Sequence, residues 1–219
     1  GGTGAKSPKA AVDDAEVVIT SLPSEAAFSQ VVHGANSLLS ANKDGLIVIE
    51  TSTLPIEAKT EARDTLGKGG TILLDCPISG TGAQAVNRDL VVYGSGDEDA
   101  FNTCSPVFEG IARSNYYVGE FGNGSRMKYV ANLLVHIHNV ASAEALVLGM
   151  KAGLNPEMIY NVIKDGAGNS RIFELRGPMM VADNYDEATM KMDVWQKDIG
   201  VITEFAAAMD CPTPLFSTS

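Results

Sequence analysis

The sequence predicts an α/β protein in two parts: a doubly wound, mainly parallel sheet, then an all-helical half built on one long helix. Three observations predict it. Short apolar runs alternate with helix-like stretches as far as about residue 120, the pattern of βαβ units. The loops after the first three of these runs carry unusual Ser, Thr, Pro and Gly clusters, and in open parallel sheets ligands sit beyond the carboxyl ends of the strands. From residue 121 onward only helical periodicity remains.

Val17 to Thr20 is a short apolar run that ends in Ser21-Leu22-Pro23-Ser24, a buried strand feeding a loop. A helix is expected from Ser24, a candidate N-cap, to Leu39. Leu46 to Ile49 forms the second strand, followed by Glu50-Thr51-Ser52-Thr53. Pro55 marks a helix start, and Gly67-Lys68-Gly69-Gly70 ends that helix. Thr71 to Asp75 is the third strand, running into Cys76-Pro77-Ile78-Ser79-Gly80; Leu90 to Gly96 and Tyr116 to Gly119 are the fourth and fifth. In the second part, Gly124 to Ala152 reads as one helix roughly 40 Å long at the usual rise per residue, with Gly153 beyond its end. Asn155-Pro156-Glu157 restarts a helix with a cap, a proline and an acid in place. Ser170 to Arg176 is a short helix stopped by Gly177-Pro178, and a last helix runs from Met192 to Met209 with Trp195, Ile199, Ile202 and Phe205 as its core stripe. The domains expected are 1–120 and 121–219.

Composition narrows the function. The 219 residues are 45% hydrophobic and carry a net charge of −11, so a packed core is available, while a phosphate-tracking nucleic-acid surface is excluded. Tyr129 to Met150 is the most membrane-like stretch, but Asn132, His136, His138, Asn139 and Glu144 interrupt it, so a helix of a soluble, cytoplasmic protein is expected. Gly1-Gly2-Thr3-Gly4 has no basic segment leading into an apolar one. Cys76, Cys104 and Cys211 are widely spaced and odd in number, which suits free thiols in a reducing compartment and no metal. His136 and His138, two apart on a helix, point to different sides and make a poor metal pair.

Gly122-x-Gly124-x-x-x-Lys128-x-x-x-Asn132 is the sharpest motif. Four residues apart, Lys128 and Asn132 share a helix face and can converge on one small group. Partial burial that lowers a lysine's pKa turns it into a general base, although the spacing alone also fits a lysine that snorkels to solvent. The second motif is Asp75-x-Pro77-x-Ser79-Gly80, whose tight loop could aim backbone N–H groups at a carboxylate or simply end a strand. Leu22-Pro23-Ser24 and Thr51-Ser52-Thr53 could each do no more than cap a helix.

In their order and spacing these segments resemble the β-hydroxyacid dehydrogenases, the group of 3-hydroxyisobutyrate and 6-phosphogluconate dehydrogenases. Val17 to Pro23 is similar to the family strand ending in Leu-Pro. Ile49 to Thr53 resembles an Asp-x-Ser-Thr strand end, with Glu50 for Asp. Asp75 to Gly82 resembles Asp-Ala-Pro-Val-Ser-Gly-Gly, with Cys76 for Ala and Thr81 for the second Gly. Gly122 to Asn132 matches the catalytic motif, Lys197-Asp198 resembles the Lys-Asp of a late helix, and Pro212 to Leu215 resembles a Thr-Pro-Leu before the last helix.

The resemblance implies hydride transfer between NAD or NADP and a short β-hydroxyacid bound between the two domains. It implies Lys128 as general acid/base and Asn132 orienting the hydroxyl. Ser79, Gly80 and the Thr81 N–H would hold the carboxylate, and Lys197 would add positive charge near cofactor and substrate. Leu22, Pro23 and Thr53 would line the nicotinamide. It also implies a homodimer or homotetramer. The family's first βαβ unit, with its Gly-x-Gly-x-x-Gly, is expected before residue 1, and a final helix after Leu215. The sheet is thus N-terminally incomplete, and these 219 residues alone are expected to bind a dinucleotide poorly. Two rivals differ at one residue. A non-catalytic relative serving as a binding or assembly module would be expected to have lost Lys128, and the imine reductase branch typically replaces it.

Overall fold

In the computed structural model, residues 2–186 and 192–219 are described, and Gly1 of the opening glycine-rich stretch lies outside them. The first half runs α1 (Pro8–Ala11), β1 (Val17–Thr20), α2 (Glu25–His33), α3 (Leu38–Ala41), β2 (Ile47–Glu50), α4 (Ile56–Gly67) and β3 (Ile72–Asp75). It continues through β4 (Ile78–Ser79), α5 (Gly82–Val86), β5 (Leu90–Gly94), α6 (Glu98–Thr103), α7 (Ser105–Ile111) and β6 (Ala112–Tyr117). The helical half is α8 (Asn123–Lys151), α9 (Pro156–Lys164), α10 (Arg171–Ala182), α11 (Met192–Ala208) and α12 (Pro214–Ser217). The chain divides into two compact units, Gly1–Tyr129 and Val130–Ser219.

In the first unit, β1, β2 and β3 pair in parallel, Val18 beside Val48 and Val48 beside Leu73. Residues of β2 alternate between two cores, as a period of two requires. Ile47 and Ile49 join Leu74, Val92, Phe101 and Phe108 on one face. Val48 joins Phe28, Val32, Leu54, Ala62 and Leu66 on the other. A sheet buried on both faces is what doubly wound architecture means, and each large apolar side chain so buried contributes about 1.5–3 kcal/mol.

One strand pairing departs from the parallel expectation. β5 runs parallel to β6 but antiparallel to β4, and Asp75 forms an antiparallel bridge with Ser95. The reason is connection length. Parallel neighbours need a crossover of a dozen or more residues, usually through a substantial helix. Between Ser79 and Leu90 there is only the five-residue α5, so the chain returns antiparallel, whereas α6 and α7 carry it across to β6.

Three element boundaries also differ from the sequence reading. The helix expected from Ser24 to Leu39 is two helices, because Gly34 caps α2 in an extended conformation and Ser37 starts α3 by accepting the Ser40 N–H. The fifth strand begins earlier, at Ala112. Finally, α10 runs straight through Gly177-Pro178 to Ala182. Pro178 has no N–H for the Glu174 carbonyl four residues back, and Tyr160 of α9 donates its hydroxyl to that carbonyl at 3.3 Å. A Cβ on Gly177 would lie 2.7 Å from the Tyr160 ring, so the glycine admits the side chain that makes the proline tolerable. Leu146, Ile159 and Phe173 form the core of this second unit.

Candidate active site

The carboxyl ends of β2 and β3 meet the start of α8 over a fully buried set of charges. Glu50, Lys59 and Asp75 have no exposed side-chain surface. Lys59 Nζ, reaching from α4, donates to the Ser52 carbonyl at 2.7 Å, to Asp75 Oδ1 at 2.8 Å and to Ser125 Oγ at 3.2 Å. Its distance to Glu50 Oε1 is 4.0 Å. Glu50 accepts the Ser52 N–H at 2.6 Å and the Thr20 hydroxyl. Buried charge is tolerated only when paired and hydrogen-bonded, and each of these groups is.

The Gly-x-Gly motif now has a physical reading. Gly122 adopts φ +93, which favours glycine. A Cβ on Gly124 would stand 2.4 Å from the Tyr93 carbonyl oxygen and 2.5 Å from that of Asp75, so only glycine lets the helix end sit directly on the strand ends. The strands supply the groups its first N–H donors need. Gly124 N–H donates to Ser95 Oγ at 2.9 Å and Ser125 N–H to Asp75 Oδ2 at 2.8 Å, while Ser125 Oγ donates to Asp75 Oδ1 at 2.8 Å. Lys128 follows one turn later and is 9% exposed. Next to it, Tyr129 donates its hydroxyl to the Leu54 carbonyl at 2.5 Å.

In the second unit, Asn132 is 7% exposed and its Nδ2 donates to Asp198 Oδ2 at 2.9 Å. Lys197 Nζ lies 2.9 Å from Asp198 Oδ1, an ion pair rather than an aligned hydrogen bond. The structure therefore connects two residues of the expected site, Asn132 and Lys197, through a carboxylate to which the sequence reading gave no role. His136 Nδ1 lies 2.7 Å from the Asn132 carbonyl, and its ring packs on Trp195 at 3.8 Å and on Phe216 at 5.3 Å. His136 is thus a buried packing residue on the same stripe of α8 as Lys128 and Asn132.

The remaining expected residues lie at the end of β4, where Ser79 is its last residue, and on the loops after β1, β2 and β4. Leu22 donates its N–H to Ser52 Oγ at 2.8 Å, Pro23 is exposed, and Thr53 is buried. The loops after β1 and β2 lie at the carboxyl ends of parallel strands, where such sheets receive nucleotides. Ser79 and Thr81 are half-buried and Gly80 is exposed at φ +134. The Thr81 N–H is not idle: Gln84 Oε1 accepts it at 2.8 Å in a capping box at the start of α5. A carboxylate would have to displace Gln84 to reach it. Cys76, next to this loop, is fully buried, and burial first, then the Asp75 carboxylate, pushes its thiol far above the ordinary range.

A parallel, nucleotide-type sheet followed by a helical half defines a two-part, Rossmann-like class of protein. Residues 1–119 match the NAD binding domain of 6-phosphogluconate dehydrogenase. Residues 122–219 match the family described as NAD-binding of NADP-dependent 3-hydroxyisobutyrate dehydrogenase. The chain is 32% identical over 216 residues, 98% of its length, to an L-threonate dehydrogenase of Cupriavidus necator, covering 72% of that protein. It is 27% identical to the mitochondrial 3-hydroxyisobutyrate dehydrogenase of Mus musculus, covering 97% of this chain and 65% of that one. A crystal structure of 3-hydroxyisobutyrate dehydrogenase from Salmonella typhimurium superposes with a TM-score of 0.86 at 30% identity, covering 97% of this chain and 74% of that one. The chain spans 63–72% of the length of the L-threonate dehydrogenases it matches.

The chain belongs to the β-hydroxyacid dehydrogenase family, NAD(P)-dependent oxidoreductases.

Proposed function

We propose that the protein transfers a hydride between NAD or NADP and a short-chain β-hydroxyacid, with Lys128 as the general acid/base. The observation that carries this reading is the pair of buried polar side chains, Lys128 and Asn132, one turn apart on α8. Burying a lysine is costly, and a site where one is kept is a candidate for proton transfer. In oxidation, Lys128 in its neutral form takes the hydroxyl proton onto Nζ, and in reduction the ammonium returns it. Asn132, held by Asp198, orients the hydroxyl. Ser79 Oγ and the Gly80 and Thr81 backbone hold the carboxylate, the last after Gln84 yields. Lys197 adds positive charge near cofactor and substrate. Leu22, Pro23 and Thr53 line the nicotinamide, which supplies or accepts the hydride when bound.

Among short hydroxyacids, a threonate-like polyhydroxy acid is the first candidate, because several of the more similar relatives are named for L-threonate. A dinucleotide-binding domain to residue 120 and a helical domain from 121 form the working unit. The working protein is a cytoplasmic homodimer or homotetramer. By length and composition α8 could also cross a membrane, but its buried Lys128, Asn132, His136 and Ser142 suit a helix packed in protein. The retained Lys128 disfavours a non-catalytic role.

The test is a panel of threonate, 3-hydroxyisobutyrate and other β-hydroxyacids assayed with NAD and with NADP on a polypeptide that carries the family's Gly-x-Gly-x-x-Gly unit. Turnover of at least one member, threonate foremost, is expected. No oxidation of any of them by an otherwise folded enzyme would refute the reading.

A further inference from the structure

The buried Lys59–Asp75–Ser125 cluster lies at the root of the helix that bears Lys128, and none of its members is needed to touch a substrate. Two carboxylates and one ammonium are sealed from water there. Such a set is a poor device for stability alone, since well-packed apolar groups of similar volume often do as well or better. What charge and hydrogen bonds add is direction. Asp75 takes both the N–H and the hydroxyl of Ser125 at 2.8 Å, and Lys59 holds Asp75 Oδ1 and Ser125 Oγ at once. Ser95 takes the preceding N–H, that of Gly124. The first turn of α8 is thereby fixed both along its axis and in rotation about it. Three residues on from Ser125 lies Lys128, on the same side of the helix.

We infer that Lys59 and Ser125 are positioning residues for Lys128: through Asp75 they set where the Lys128 amine stands. The inference rests on the reading of Lys128 as the proton-transfer residue. Lys59 acts at a distance from the reacting atoms, so its effect is on the geometry of proton transfer and not on cofactor affinity. Displacing a catalytic group by about 1 Å can cost up to about a hundredfold in rate, whereas a mere loss of packing would lower the amount of folded enzyme and leave its turnover intact.

The experiment compares Ser125→Ala, Lys59→Met and Lys128→Ala in the active enzyme, after circular dichroism has established the folded fraction of each. Ser125→Ala removes one hydroxyl and leaves the Lys59–Asp75 pair, so it remains measurable if Lys59→Met does not fold. In folded Ser125→Ala, kcat should fall more than about fivefold, with dinucleotide affinity unchanged and the pH profile of kcat shifted. Ser125→Thr, which restores a hydroxyl, should recover part of the loss. Turnover within about fivefold of the parent, with a superimposable pH profile, overturns the positioning role while Lys128→Ala is inactive. If Lys128→Ala is itself active, the proton-transfer reading fails, and this inference fails with it.

Discussion

Asp198 Oδ2 accepts a 2.9 Å hydrogen bond from Asn132 Nδ2, and Lys197 Nζ stands 2.9 Å from the other oxygen of the same carboxylate. Asn132 carries one donor group and one acceptor group. With one Nδ2 N–H engaged by Asp198, the amide orientation is set, and Oδ1 and the second N–H are the atoms that the proposed role would offer to a substrate hydroxyl. The same carboxylate holds the Lys197 ammonium near it. One buried side chain therefore fixes two of the groups assigned to substrate.

Replacing Asp198 should expose that dependence. Asp198→Ala leaves the Asn132 amide without this acceptor and removes the Lys197–Asp198 pair, and kcat/KM should drop on the order of tenfold or more. Asp198→Asn can still accept from Asn132 but loses the charge pair, and should fall between the two. Steady-state kinetics decide, and a parent-like kcat/KM in Asp198→Ala would rule the arrangement out.

Lys128→Ala should lower kcat by about two orders of magnitude or more, the usual scale for a positioned general base. In a polypeptide that carries the Gly-x-Gly-x-x-Gly unit, fluorescence titration should find dinucleotide binding unchanged. Near-normal turnover would remove Lys128 from the chemistry.

Gly124→Ala should destabilise the first unit. Its Cβ would meet two backbone oxygens, at 2.4 and 2.5 Å, and backbone at strand ends cannot swing aside as a side chain can. A cost of about 1–3 kcal/mol, typical of overpacking, should appear in urea unfolding, with a parallel loss of activity as α8 lifts from the strands. A variant as stable as the parent would contradict the close approach.

Thiol chemistry should single out Cys211. Cys76 and Cys104 are buried, and burial raises both thiols above the ordinary range, whereas Cys211 is exposed. Because the thiolate is the nucleophile, a maleimide at pH 8 should label one site on the native protein and three after unfolding. Labelling of Cys76 as fast as Cys211 would place it elsewhere.

The exposed apolar residues of α8, which spread around more than one face, should take part in association. Val130, Leu134, Val147, Leu148 and Met150 are each about half exposed or more. At 29 residues α8 is far longer than the roughly 11–12 of an average helix. Sedimentation should find a dimer or tetramer at tens of micromolar, and Leu134→Glu with Val147→Glu should shift it toward monomer. A monomeric parent would refute this use of the helix.

Much of the fold is legible in the sequence because local rules set it. Apolar runs of four residues, Ser24 and Asn155 as caps, and Pro156 at a first turn act within a few residues of themselves. Lys128 and Asn132 could be paired from spacing alone, since a helix brings positions four apart together. Lys59 and Asp198 could not be assigned, although a signal was present. Each stands in an otherwise apolar stripe, Lys59 with Ala62 and Leu66, and Asp198 with Trp195 and Ile202. A charge in such a stripe is either paired or exposed, and the partner that decides lies far away in the chain: 16 residues for Asp75 and 66 for Asn132. The continuation of α10 through Pro178 was decided in the same way, by a Tyr160 hydroxyl that no local rule supplies. By itself the sequence determined elements, caps and the spacing of the motif. Tertiary structure decided which polar groups could afford to be buried, because that depends on partners only folding brings within reach.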